Sequence, residues 1–256
     1  MLEYTNPNDY KIIDALDNLY EKLQKKEFVN GTVELLDFHG EFDPAYQYFD
    51  FFGVRPARRK YIEHEYDWYM SLDKSIKGHA GIENNKIWQA VASKDEKQET
   101  NSQYGYLVFS PENGVNGKSQ FELVKEQLLK DQHTRQAVIH YSRPTIWKDY
   151  CENGKHDYIC TFNTTFEIRD GKLNMLVYMR SNAVFTGFVN DFAWQYFVYH
   201  KMKDELKESG LDLKDGNIYW NAASFHAYEA DFEDLTKIVL AYREDNHIET
   251  EKHEEV

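Results

Sequence analysis

The chain has 256 residues and 41% hydrophobic content, enough for one domain with a sizeable core, and its formal charge of −14 excludes a general phosphate-backbone surface, which needs clustered Lys and Arg. No apolar tract is long enough to cross a bilayer, and the start, MLEYTNPNDY, lacks a basic segment followed by an apolar run, so a cytoplasmic location without membrane or nucleic-acid partners is expected. Two cysteines, Cys151 and Cys160, are too few for a disulfide framework and lack zinc spacing, so both read as reduced thiols and no metal is expected.

After Asn8, taken as an N-cap, Ile12, Ile13, Leu16, Leu19, Tyr20 and Leu23 recur at helical spacing. TVELLDF (32–38) then reads as a strand. YIEHEYDWYMSL (61–72) reads as a second helix carrying Glu63, Glu65 and Asp67. Alternation in QAVIHYS and in YICTFNTTFEIRDGKLNMLVYMRS gives three strands, the last two joined through Asp170-Gly171, a hairpin signal. From Asp191 to about Leu206 the pattern turns helical, with Phe192, Trp194, Phe197, Val198 and Met202 on the apolar side. NIYWNAASFHAY then reads as a strand leading into a final helix, and a charged tail is expected over 243–256. Strands and helices are interspersed without regular βαβ alternation, which favours an α+β domain over 1–242. Aromatics at 16% point to a thick core or a large buried interface.

Several side chains are candidates for chemistry. Cys160 sits in a strand-like segment, where a lone cysteine is more often packing; nucleophilic use needs a nearby positive charge to lower its pKa. Arg180, across the same hairpin, and Arg135, at the start of another strand or from a second subunit, are the cations in question, although each alone reads as a surface residue. His226 and Tyr228, two apart on one strand face, suit either a sugar hydroxyl or a core pair. RPARRK (55–60) is the densest basic cluster, suited to an anion or to a solvated helix approach.

In order along the chain, YIEHEYDWY, KIWQAVAS, NSQYG, RQAVIHYSRP, YICTFN, MRSNAVFTGFVNDFAWQ and SFHAY resemble the thymidylate synthase superfamily, and within it the deoxycytidylate hydroxymethylases of T-even-type bacteriophages. The resemblance implies a thymidylate synthase-like fold, a large mixed sheet flanked by helices, with sheets packed face to face in a homodimer that shares its active sites. It implies Cys160 as the nucleophile and Glu65 as the residue that orders water and moves protons. Arg135 of the second subunit, Arg180 and Ser181 would hold the phosphate; His226 and Tyr228 the 3′-hydroxyl; Trp88 and Tyr104 would line the site. Asp191 stands where thymidylate synthases have an asparagine that reads uracil. A carboxyl there accepts from the cytosine amino group and favours a proton on N3, pointing to dCMP. The implied reaction transfers a one-carbon unit from 5,10-methylenetetrahydrofolate to C5 of dCMP and adds water. Ala183 replaces an aspartate that contacts folate in the family, Gln136 replaces the second arginine of an Arg-Arg pair, and EFVNGTVELL lacks a phosphate arginine, which brings Arg58 or Arg59 into question. A dUMP or ribonucleotide hydroxymethylase or methylase and a nucleotide-binding homologue without turnover are the rival readings.

Overall fold

The computed structural model describes residues 6–247. The opening helix, α1 (Pro7–Gln24), is capped by Asn6 rather than Asn8: the Asn6 side chain accepts from the Asn8 backbone N–H, and Pro7 takes the first turn, where a missing N–H is harmless. Strand β1 (Thr32–Phe42) is longer than its apolar run, because Asp37 adopts a positive φ of 60° and the pairing continues beyond it. Next come α2 (Arg59–Ser71), α3 (Lys86–Val91), α4 (Tyr104–Phe109), α5 (Gln120–Lys130), β2 (Val138–His140) and α6 (Ile146–Asp149). The hairpin β3 (Thr161–Arg169) and β4 (Lys172–Met179) turns at Asp170 and Gly171, both at positive φ, as a two-residue loop matched to strand twist requires. After it come β5 (Asn182–Ala183), a wide π turn over Val184–Phe188, α7 (Val189–Glu208), β6 (Lys214–Tyr228) and α8 (Phe232–Asp245).

The strands form one mixed six-stranded sheet in the order β1-β6-β4-β3-β2, with β5 also on β6. The β4 and β5 strands both run parallel to β6, while β1 pairs with it antiparallel. The chain is thus α+β, as its interspersed elements predict. Alternation along β4 turns Leu173, Met175, Val177 and Met179 into the core and leaves Leu176 half-buried and Tyr178 exposed on the other face.

The aromatic excess is largely core. Phe49, Phe188, Phe192 and Trp220 are fully buried, with ring centroids 4.7 Å apart for Phe49–Phe188 and 5.3 Å for Phe188–Trp220. This cluster seats the π turn and the start of α7 on the sheet. Helix α8 runs past Arg243, where the tail was expected to begin; that guanidinium bonds Asp17 and Glu21 of α1, each at 2.7 Å. The remainder of that stretch, 248–256, lies outside the described residues. Among the described residues no helix is long and apolar enough to cross a membrane.

Candidate active site

A cleft of about 960 Å³ opens between the start of α2, the segment before β3 and the π turn. Its lining includes Glu65, Trp88, Tyr104, Cys160, Arg180 and Asp191. Tyr228 also lines it, at the end of β6. His226 is 6% exposed and stands one step behind, its ring 5.1 Å from that of Tyr228; burial lowers its pKa and keeps it neutral. Ser181 is half-buried at the break between β4 and β5 and is not in the lining. Arg135 is exposed on the turn before β2, also outside the cleft.

Cys160 does not lie within a strand; it immediately precedes β3. A β-bulge sets its neighbour. Thr161 pairs with Met179 and Asn163 with Tyr178, so Phe162 is the extra residue. With continuous pairing Cys160 would lie opposite Ser181. The bulge brings it opposite Arg180, whose backbone N–H donates to the Cys160 carbonyl at 2.9 Å. The guanidinium folds back onto the same segment, donating to the carbonyls of Ile159 (3.1 Å) and Tyr158 (2.5 Å), with Nη2 3.5 Å from the Cys160 Sγ. Burial nonetheless outweighs this cation and pushes the thiol up to about 11, so it is protonated in the ligand-free cleft.

On α2 only one of three acids faces inward: Glu65 is 7% exposed, whereas Glu63 and Asp67 are exposed. Tyr61, one turn earlier on the same face, donates to Glu65 Oε1 at 2.7 Å and accepts from Trp88 Nε1 at 2.9 Å. Burial, against these bonds, raises Glu65 to about 7, so it exchanges a proton near neutrality. Asp191 lies in the first turn of α7 but caps nothing, because the helix runs on from the π turn. Its Oδ2 accepts from Asn182 Nδ2 at 2.9 Å, and Asn182 Oδ1 accepts from Trp220 Nε1 at 3.0 Å. Burial and then the Glu65 charge raise Asp191 to about 8.

Sequence reasoning did not find Tyr61, Asn182 or Asp157. Asp157 accepts from the Ser102 hydroxyl (2.6 Å) and the Asn101 and Ser102 N–H groups (2.6 and 2.8 Å), tying the segment before α4 to that before Cys160. The Tyr61–Glu65 spacing is the one available signal; the other two depend on contacts between distant segments. In the basic cluster, Arg55 pairs with Asp231 and Asp234, and Arg59 with Asp50. Arg58 is exposed at the cleft edge, and among the described residues no ion pair engages it.

The profile of the thymidylate synthase family matches residues 12–253. The deoxycytidylate 5-hydroxymethyltransferase of Enterobacteria phage T4 is 36% identical over 214 residues, covering 82% of this chain and 83% of its own. That of phage T6 is 35% identical over the same span. The deoxyuridylate hydroxymethyltransferase of Bacillus phage SP01 is 30% identical over 128 residues, 48% of this chain and 32% of its own.

Proposed function

The chain belongs to the thymidylate synthase family, and we propose that it is a deoxycytidylate 5-hydroxymethyltransferase, converting dCMP to 5-hydroxymethyl-dCMP with a one-carbon unit from 5,10-methylenetetrahydrofolate. The observation that carries this reading is Asp191: a carboxyl raised to about 8 shares one cleft with Cys160 and Glu65. At neutral pH it is a proton donor. Cytosine offers an acceptor at N3 and a donor at its amino group, so one neutral carboxyl satisfies both and delivers positive charge to the ring as C6 is attacked.

The Cys160 thiol then gives up its proton to solvent as its sulfur bonds to C6, and the electron pair of the C5–C6 double bond is released toward C5. Methylenetetrahydrofolate, when bound, supplies the electrophilic carbon for C5 and leaves as tetrahydrofolate. Glu65, near its midpoint at neutral pH, orients and deprotonates the water that adds to the exocyclic carbon once the C5 proton has left; expulsion of the Cys160 thiolate restores the ring. The residues present fit a second, flat ligand. The cleft is at the upper end of the usual size for small-molecule sites, and its lining offers Trp88, Phe185 and the exposed Arg58 to an aromatic, anionic cofactor.

Phosphate binding is assigned to Arg180 and Ser181 with Arg135 of a partner subunit, and the sugar hydroxyl to Tyr228 and His226. The exposed position of Arg135 outside its own cleft supports a homodimer. So does the sheet face bearing Tyr178, 38% exposed, and Phe162, 42% exposed.

Release of tritium from C5-labelled dCMP and dUMP, with and without methylenetetrahydrofolate, tests the reading. Cofactor-dependent release from dCMP, lost in Cys160→Ala and strongly slowed in Glu65→Gln, is expected. Release from dUMP alone would instead favour the activity named for the SP01 relative, and full activity of Cys160→Ala would remove the covalent step.

A further inference from the structure

We infer that Asn182 is a positioning residue for base selection: held by Trp220, it fixes the Asp191 carboxyl with Oδ2 as an acceptor. The inference rests on the reading of Asp191 as the residue that meets the pyrimidine. An indole N–H can only donate. Trp220 Nε1 lies 3.0 Å from Asn182 Oδ1, so that atom is the carbonyl oxygen and the amide nitrogen must face the other way, where it donates to Asp191 Oδ2 at 2.9 Å. Neither group can turn freely. Trp220 has no exposed surface and meets Phe188 edge-on, and Asn182 is 2% exposed and paired through its backbone to Phe225 of β6.

The consequence is chemical. A neutral carboxyl can carry its proton on either oxygen, and the two arrangements present opposite donor and acceptor patterns to a base; one suits cytosine and the other uracil. A donor aimed at Oδ2 keeps that oxygen accepting and leaves the proton to Oδ1, so the pattern is set before a nucleotide arrives. The same donor stabilises the carboxylate, opposing burial and the Glu65 charge, and so helps Asp191 release its proton toward the ring. Gly187, in the cleft lining, leaves the pair room: a Cβ there would stand 3.3 Å from Asn182 Nδ2 and 3.6 Å from Asp191 Oδ2.

The test is the pH dependence of kcat/KM for dCMP and dUMP in the wild type, Asn182→Leu and Trp220→Phe, with thermal unfolding of each. Asn182→Leu keeps the approximate size but has no donor for Asp191 Oδ2. Its dCMP-to-dUMP ratio is expected to fall about tenfold, the factor that one displaced interaction of about 1.4 kcal/mol gives. Its alkaline limb for dCMP is expected to move to higher pH, because Asp191 loses a partner that favours its charged form. Trp220→Phe leaves Asn182 in place but lets its amide turn, and shifts both readouts in the same direction by a smaller factor; it carries the test alone if Asn182→Leu does not fold. Folded variants with an unchanged ratio and an unchanged limb overturn the inference while leaving the base reading intact. A wild type that prefers dUMP overturns the base reading itself, and the inference with it.

Discussion

Asp191 is held where its own charge is unfavourable, and stability should record this. In the folded protein its proton is retained up to about pH 8; in the unfolded chain it leaves near the ordinary aspartate value of 3.8. Between those values the folded state binds the extra proton, so this group's contribution to stability falls as pH rises and is fully lost above about 8. Asp191→Asn removes that slope. The variant is expected to match the wild type near pH 4 and to exceed it in Tm by more than about ten degrees near pH 8.5, since roughly four displaced pH units at about 1.4 kcal/mol each come to about 6 kcal/mol, and 1 kcal/mol moves Tm by roughly 2–4 °C at this size. Parallel Tm curves for the two proteins would show that Asp191 is not held protonated. Glu65, raised to about 7, and Asp9, raised to about 6 by burial, slope the same way and remain in the variant. Cys160, Glu65 and Asp191 are legible in the sequence because each sits in a motif whose neighbours match a known pattern. Asn182 lies in the same stretch, yet nothing in its spacing says that its amide will be turned by an indole 38 positions away.

At the scale of elements, the β3–β4 hairpin joins two features of unequal visibility. Its turn is readable from Asp170-Gly171, because few residues other than Gly, Asn and Asp readily adopt the φ values of 52° and 70° found there. Its bulge is not: Phe162 belongs to an unbroken strand-like run, and only the pairing with β4 makes it the extra residue that aligns Cys160 with Arg180. The π turn before α7 is hidden for the same reason, since Val184–Phe188 follows no local rule and is seated by aromatic packing from Phe49 and Trp220. The turn and the site are separable by mutation. Gly171→Val forces a β-branched residue into the left-handed region, which costs about 1–3 kcal/mol. Denaturant unfolding should show a loss of that order, while kcat per folded molecule stays near the wild-type value because the turn is at the far end of the hairpin from Cys160. A kcat lost in proportion to stability would mean that hairpin register and the Cys160–Arg180 alignment are coupled along its whole length.

For the whole molecule, an acidic chain acting on a nucleotide needs local cations, and Arg135, proposed above as a phosphate ligand, stands outside its own cleft. The net charge of −14 opposes anions at long range, so local cations have to supply the attraction. Arg180 is already bonded to two carbonyls beside Cys160, and Arg55 and Arg59 are neutralised by acids. Arg135 is exposed, and among the described residues no ion pair or hydrogen bond engages its side chain. The sheet face carrying Leu176, Tyr178, Tyr219 and Asn221 in adjacent registers offers a surface against which a second copy can pack. If two copies meet there and exchange Arg135, then Arg135→Ala and Cys160→Ala will each be inactive as pure homodimers for different reasons. A heterodimer of the two has one cleft with both defects and one with neither. Mixing the variants under conditions of subunit exchange should therefore restore activity, up to about a quarter of the wild-type value per total protein: random exchange makes about half of the dimers mixed, each with one intact site. Exchange itself is followed independently with fluorescently labelled subunits. Exchange without recovered activity would mean that Arg135 serves its own cleft or none, and a monomer by light scattering at assay concentration would remove the shared site altogether.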